Sequence, residues 1–337
     1  MLPNHARASP RRRQQSGSDM GIDRHLAEFL LFARDAGVKF DRIATLGRLN
    51  LFIDRRSLET LFQDHGIRAT ESDIRAVRQD GYSENFLRRL GAREVVSIDA
   101  SNYEKASIVH DMNQPIGDEL KQKFSVVIDG GTLEHVFNFP VAIRNCMEML
   151  KIGGHFFAHT MANNFMGHGF YQFSPELFYR VFSSENGFRM HRAVVFESRI
   201  GKPRWYEAAD PQQIGERVEL INGRETYLLI HAERIANAPI FATPPQQADY
   251  LAVWQRGVPP KFIPDGLRGR IHQWGKSHNN IFLKYSPSFL YDVALSMIVR
   301  GLPRRGFRRR YFSPLRDLQG KGASDQPAQP KAFQGRA

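Results

Sequence analysis

The chain reads as an α/β domain built on a twisted, mostly parallel sheet with helices on both faces. Three observations carry that reading. Residues 124–128 (FSVVI) form an apolar, β-branched run of the kind buried on both faces of a sheet, and the run stops at Asp129-Gly130-Gly131. A helical pattern from about Pro140, with Ile143, Met147 and Leu150 on one face, ends at Gly153-Gly154 before a further apolar run at residues 155–158. Four strand candidates in the first half each end in a polar or glycine turn, at Gly47, Asp99, Asp111 and Asp129. Alternating strands and helices indicate parallel βαβ units, and in open sheets of this kind ligands bind at the carboxyl edge.

The remaining elements follow in order. Residues 1–19 are rich in Pro, Arg, Ser and Gln and read as a disordered tail, with organised pattern starting after Met20. Leu26, Phe29, Leu30 and Ala33 recur at helical spacing up to Gly37, and residues 40–46 read as the first strand, leading into Gly47-Arg48-Leu49-Asn50. Residues 57–91 read as helix in two or three pieces, broken near Gly66 and Gly81. Strands are expected at 94–98 and 108–109, and the run from His155 extends to Thr160. Residues 163–173 form a loop of Gly, His and aromatics, after which Ser174-Pro175 caps and starts a helix. Residues 188–196 and 227–232 read as two closing strands, and the stretch of about 30 residues between them is too long for a plain hairpin loop, so it is a candidate cover for a site. The predicted organisation is therefore a domain over 20–235, a partly helical extension over 236–299, and a basic, disordered tail over 300–337.

Charge and cysteine usage exclude several classes. The first 24 residues hold +3 and the last 38 hold +8 of the net +12, which leaves about +1 for the 275 residues between. A nucleic-acid-binding core would carry its own basic patch, so no nucleic-acid partner is expected. A single Cys excludes an internal disulfide framework and any Cys-rich zinc site. No run approaches the roughly 18 apolar residues of a membrane span, and no apolar segment follows the N-terminal arginines. A cytoplasmic protein is expected. Arg300–Arg310, with six arginines after an apolar helix at 289–299, reads either as a solvated tail or as a weak contact for anionic membrane.

The order of elements over residues 40–232 resembles the class I S-adenosylmethionine-dependent methyltransferases. The most specific piece is Val126-Val-Ile-Asp129-Gly-Gly-Thr-Leu-Glu134-His135-Val136, followed by Met149-Leu150-Lys151-Ile152-Gly153-Gly154, where the family usually has Pro in place of Ile152. The resemblance implies a Rossmann-like, doubly wound sheet of seven strands, the last two closing it antiparallel, and S-adenosylmethionine as cofactor. It also implies Asp99 at the cofactor ribose, Asp111 and Met112 beside the adenine, and methyl transfer to a small polar acceptor such as a sugar or secondary-metabolite oxygen. The first motif departs from the family: the turn after the first strand holds one glycine, Gly47, and no carboxylate. Arg48 and Asn50 then have to supply contacts to the methionine part, or the scaffold persists as a non-catalytic binding module.

Within this frame Gly47, Arg48, Asp99, Asp111, Met112, Asp129 and Gly130 are the candidate cofactor residues. His135 and His159 are the candidate bases, because a base must lie within hydrogen-bond reach of the acceptor proton. Asn163, Asn164, His168, Tyr171 and Gln172 are the candidate substrate-side residues. Each has a structural alternative: Asp-x-Asn-x-Pro is also a turn sequence, Glu134 and His135 also suit a helix start, and Cys146 falls on an apolar helix face. His155 and His159 share a strand face, but no nearby carboxylate or cysteine completes a ligand set, so no metal is expected.

Overall fold

The structure is a computed structural model that describes residues 21–198, 204–215, 217–248, 250, 306–307, 309 and 311–315. The expected N-terminal tail, the 289–299 helix and most of Arg300–Arg310 lie outside the described residues.

Five parallel strands form the centre: β2 (Arg42–Leu46), β4 (Glu94–Asp99), β5 (Ile108–Val109), β6 (Phe124–Asp129) and β7 (Leu150–Asn163). Their spatial order, β5-β4-β2-β6-β7, reverses direction between β2 and β6, which is the switch point of a doubly wound sheet. On the far side of β7 lies β10 (Thr226–Arg234), then β8 (Phe188–Glu197), β9 (Trp205–Ala208) and β11 (Phe312–Leu315), each antiparallel to its neighbour. The expected seven-stranded, mostly parallel sheet is therefore corrected to a nine-stranded mixed one. The two closing strands are present and antiparallel, but the 199–226 stretch contributes an edge strand, β9, and β11 extends it from within the expected tail. Pro314 sits on that outermost strand, where its missing N–H costs no ladder bond.

Helices cover both faces. On one, α1 (Arg24–Asp35), α2 (Arg55–Asp64), α3 (Glu71–Val77) and α4 (Glu84–Arg89) bury Leu26, Phe29, Leu30, Leu58, Phe62 and Phe86 against Ile43, Val126 and Phe157. On the other, α5 (Phe139–Met149) and α6 (Pro175–Val181) bury Ile143, Cys146, Met147, Phe178 and Phe182 against Ala44, Val127 and Phe156. The Ser174 cap expected from sequence is formed, and Asp23, Asp54 and Thr70 likewise each accept a backbone N–H in the first turn of their helices. No helix among the described residues is long and apolar enough to cross a membrane.

Two local features bear on the site. Gly153-Gly154 does not separate α5 from a strand: β7 starts at Leu150, and the pairing jumps from Phe124↔Leu150 to Val126↔His155. The glycines lie in the resulting bulge, with Gly153 at φ +76°, a backbone state that glycine adopts at little cost. Second, β1 (Gly21–Asp23) pairs parallel with β3 (Asn50–Phe52) in a separate ribbon, and Gly21 N–H donates to the carbonyl of Gly130 at 2.9 Å. This ribbon roofs the turn after β6.

Candidate functional site

A cleft of about 800 Å³ opens at the carboxyl ends of β2, β4 and β5, next to the switch point. Its floor is made where two strands end. Gly47 N–H donates to Ile98 O at 2.7 Å, and the Thr132 hydroxyl donates to Leu46 O at 2.9 Å, so the turns after β2, β4 and β6 are tied together. Gly47 has φ +73°, and a Cβ there would stand 3.5 Å from Thr132 Oγ1 and 3.7 Å from Asp99 Oδ2. The single glycine of the first turn therefore keeps clear the space between a hydroxyl and a carboxylate.

Asp99 closes β4, with Oδ1 accepting the Ser101 N–H at 3.0 Å and Oδ2 turned toward the Gly47 gap. Asp111, Met112 and Asn113 line the neighbouring wall. Asp111 Oδ1 accepts both the backbone N–H and the side-chain amide of Asn113, at 2.9 and 2.7 Å, and these bonds hold its carboxyl below the ordinary range. The turn reading and the lining reading of Asp111 thus hold together. Arg48 reaches the cleft, but its guanidinium is committed: Nε donates to Glu84 Oε1 at 2.7 Å, Nη1 to Glu104 O at 3.2 Å, and the group lies 3.7 Å over the Tyr82 ring.

The rim is formed by His135 and His168. Residues 133–135 make a single 3₁₀ turn, and the 165–171 loop docks on it through Phe170 N–H to Glu134 O, 2.7 Å. Gly169 permits this approach, since a Cβ there would stand 2.8 Å from that carbonyl. The two imidazole centroids are then 4.8 Å apart, and burial together with the neighbouring His168 lowers the pKa of His135, leaving it neutral at pH 7.

Beneath the rim lie two carboxyls with no solvent exposure, Asp129 and Glu134. Asp129 Oδ1 accepts the N–H groups of Thr132 and Leu133 at 2.7 and 3.3 Å, and Glu134 Oε2 accepts the Thr160 hydroxyl at 3.0 Å. Burial pushes Asp129 up to about 7, and burial plus the nearby Asp129 pushes Glu134 up to about 8.

Several sequence-predicted residues are placed away from the cleft. Asp129 and Gly130 do not line it, because the β1–β3 ribbon covers that turn: a Cβ on Gly130 would stand 2.9 Å from Leu49 Cδ2 and 3.2 Å from Gly21 O. His159 lies on the α1 face of β7, 3.7 Å from Asp23 and packed on Phe196 and Tyr227, so it is not positioned as a base for a ligand in the cleft. Of the five substrate-side residues only His168 is in the lining. Asn163 and Asn164 donate to Asn222 Oδ1 at 3.0 and 2.8 Å, Gln172 accepts the Phe165 N–H at 2.8 Å, and the Tyr171 hydroxyl donates to Phe137 O at 2.6 Å. These four shape the loop. Sequence reasoning missed Thr132, Val136, Ile98 and Ala100 as lining residues; their signal was position alone, one to seven residues beside a strand end.

Neither a protein-family model nor a curated protein sequence matches the chain. Among solved structures it is similar to the branched-chain polyamine synthase of Thermus thermophilus in complex with N4-aminopropylspermidine and 5'-methylthioadenosine (14% identity, TM-score 0.33, 67% of this chain and 61% of that one). It is also similar to the Burkholderia thailandensis 1,6-didemethyltoxoflavin-N1-methyltransferase with bound 1,6-didemethyltoxoflavin and S-adenosylhomocysteine (12%, 0.33, 63% and 78%). A third is the YcgJ protein of Bacillus subtilis (10%, 0.34, 63% and 100%). The chain spans about three-fifths of the length of the polyamine synthase. At such identities and TM-scores these likenesses say nothing of ligand or reaction. The chain's own strand order carries the conclusion: a doubly wound, Rossmann-like α/β fold whose five parallel strands are followed by the antiparallel closing pair that the methyltransferase resemblance implies, extended here by two edge strands.

Proposed function

We propose that the cleft holds S-adenosylmethionine and that the protein transfers a methyl group to a small polar acceptor. The observation that carries this reading is the convergence of Gly47, Asp99 and Asp111-Met112, from the ends of three adjacent strands, on one cleft of about 800 Å³ at the switch point. The residues fit such a ligand. Asp99 offers carboxylate oxygens to ribose hydroxyls, the Asp111–Asn113 turn offers polar edges beside the buried Met112 side chain for a base, and Gly47 leaves room between them. The bound cofactor would supply an electrophilic methyl on a sulfonium centre. This chain's part is to hold the acceptor in line, where positioning supplies most of the acceleration. His135, neutral at pH 7, stands at the rim to take the acceptor's proton, with His168 beside it to set its orientation. An oxygen of a sugar or secondary metabolite suits a polar rim of two imidazoles.

Titration calorimetry with S-adenosylhomocysteine tests the reading. Saturable binding is expected, and Asp99→Ala should weaken it by tens-fold or more, which is the loss of a charge-assisted hydrogen bond worth about 1.5–3 kcal/mol. Absence of heat at millimolar ligand sinks the enzyme reading. It would favour a non-catalytic module, for which the Arg48–Glu84 pair is the specific observation: this lining cation is already matched by a carboxylate at 2.7 Å.

A further inference from the structure

We infer that His155, His191 and His231 form a site for one divalent transition-metal ion of zinc type on the antiparallel half of the sheet, near the carboxyl end of β10. The three residues come from three neighbouring strands: His155 from β7, His231 from β10 and His191 from β8. Ladder register brings them together, since Glu233 pairs with His155 across β7, and β10 shifts register against β8 between His231 and Ala232. That irregularity turns His191 onto the face that His231 occupies.

The spacing suits an ion. One ligand nitrogen from each histidine lies within 4.8 Å of the others, and His155 Nδ1 and His231 Nε2 are 3.0 Å apart. Four ligands at the usual zinc–nitrogen distance of about 2.0–2.1 Å have edges of about 3.3 Å, and imidazole rings around such an ion have centroids about 5.2 Å apart. The three ring separations here are 4.6, 5.1 and 5.9 Å, which bracket that value. Glu233 Oε2 lies 2.9 Å from His191 Nε2 as a hydrogen-bond partner of that ring, and the fourth position of the ion is left to solvent. Bringing the three nitrogens from within 4.8 Å to that edge requires side-chain shifts, and the exposed His191 provides both the play and the access.

The neighbouring cations are Arg189, 3.7 Å from Glu233, and Arg192, whose charge is met by Glu207 at 2.8 Å. An ion here would clip β7, β10 and β8 together. It shares no residue with the cleft, and His155 lies four residues before His159 on β7, about 13 Å back along the strand. The inference does not depend on the methyltransferase reading.

The test uses untagged full-length protein stripped with a chelator, titrated with Co²⁺ and then Zn²⁺. One equivalent of Co²⁺ should give the visible d–d absorption of a four-coordinate site, Zn²⁺ should abolish it, and Zn²⁺ should raise the thermal midpoint. His191→Gln changes a side chain that reaches the surface, so the fold survives; it should weaken Co²⁺ binding by about tenfold or more. His168→Gln, at the cleft rim, should leave the titration unchanged. A wild-type protein without the band overturns the site. So does a band that survives both His191→Gln and His155→Gln, or one lost in His168→Gln instead.

Discussion

Glu134→Gln is the substitution with the most informative stability readout. Glu134 has no solvent exposure, its Oε2 accepts the Thr160 hydroxyl at 3.0 Å, its Oε1 has no hydrogen-bond partner, and burial beside Asp129 raises its pKa to about 8. Each tenfold change in proton affinity is worth about 1.4 kcal/mol, so ionising a carboxyl moved from its ordinary 4.5 to about 8 costs roughly 4–5 kcal/mol at most. The sign follows from proton counting. Between about pH 5 and 8 the folded state keeps a proton that the unfolded state has released, so stability falls as pH rises through that window and levels off above it. Glutamine retains a carbonyl for Thr160 and cannot ionise. Urea unfolding followed by Trp fluorescence, without ligand, should show wild type losing a few kcal/mol from pH 5 to 9. The variant should lose less, keeping only the part that the buried Asp129 contributes over the same window, so that it matches wild type near pH 5 and exceeds it near pH 9. Parallel pH profiles for the two proteins would refute a buried neutral carboxyl at this position.

Two further substitutions probe how the site is supported. Gly130→Ala places a methyl 2.9 Å from Leu49 Cδ2 and 3.2 Å from Gly21 O, an overpacking worth about 1–3 kcal/mol; adding Leu49→Ala should recover part of the loss in the same denaturation assay, and strict additivity would exclude the contact. Arg234, 3% exposed, donates to the carbonyls of Leu150, Met147 and Glu148 at 2.7, 3.3 and 3.4 Å where α5 meets β7. Arg234→Met should cost about 2–4 kcal/mol by stranding those carbonyls, read as a drop in thermal midpoint, and a shift within error would show that they find other partners.

The parallel half of the fold was legible because its strands are buried on both faces and read as continuous apolar runs. The edge was not. Trp205–Ala208 and Phe312–Leu315 are four-residue strands separated by about a hundred residues, and short strands carry little periodicity to detect. Gly153-Gly154 reads as a break, yet the same pair serves a bulge, and only the register of β6 against β7 tells the two apart. For the site, Gly47, Asp99, Asp111 and Met112 were readable because strand ends fix their position. Asp129 and Gly130 also stand at a strand end, but Gly21 and Leu49, some 80 to 110 residues earlier, cover them. His155 and His231 are 76 residues apart and meet only through β10. Nothing local to either announces the other.

The placement of β10 also constrains how the chain can be made. Sixty-two residues separate the end of β7 from the start of β10, so at about 5–20 residues per second a ribosome leaves the outer edge of β7 without its partner for roughly 3–12 s. During that interval β8 is already synthesised, and it runs parallel to β7 with α6 between them in sequence. Docked directly on β7, those three elements would make an ordinary right-handed βαβ unit, a plausible-looking sheet with β10's slot closed. The native arrangement requires that shortcut to stay open or to reopen. A chain ending before Thr226 would leave a fourteen-residue strand, β7, with an open edge, and such edges recruit other chains.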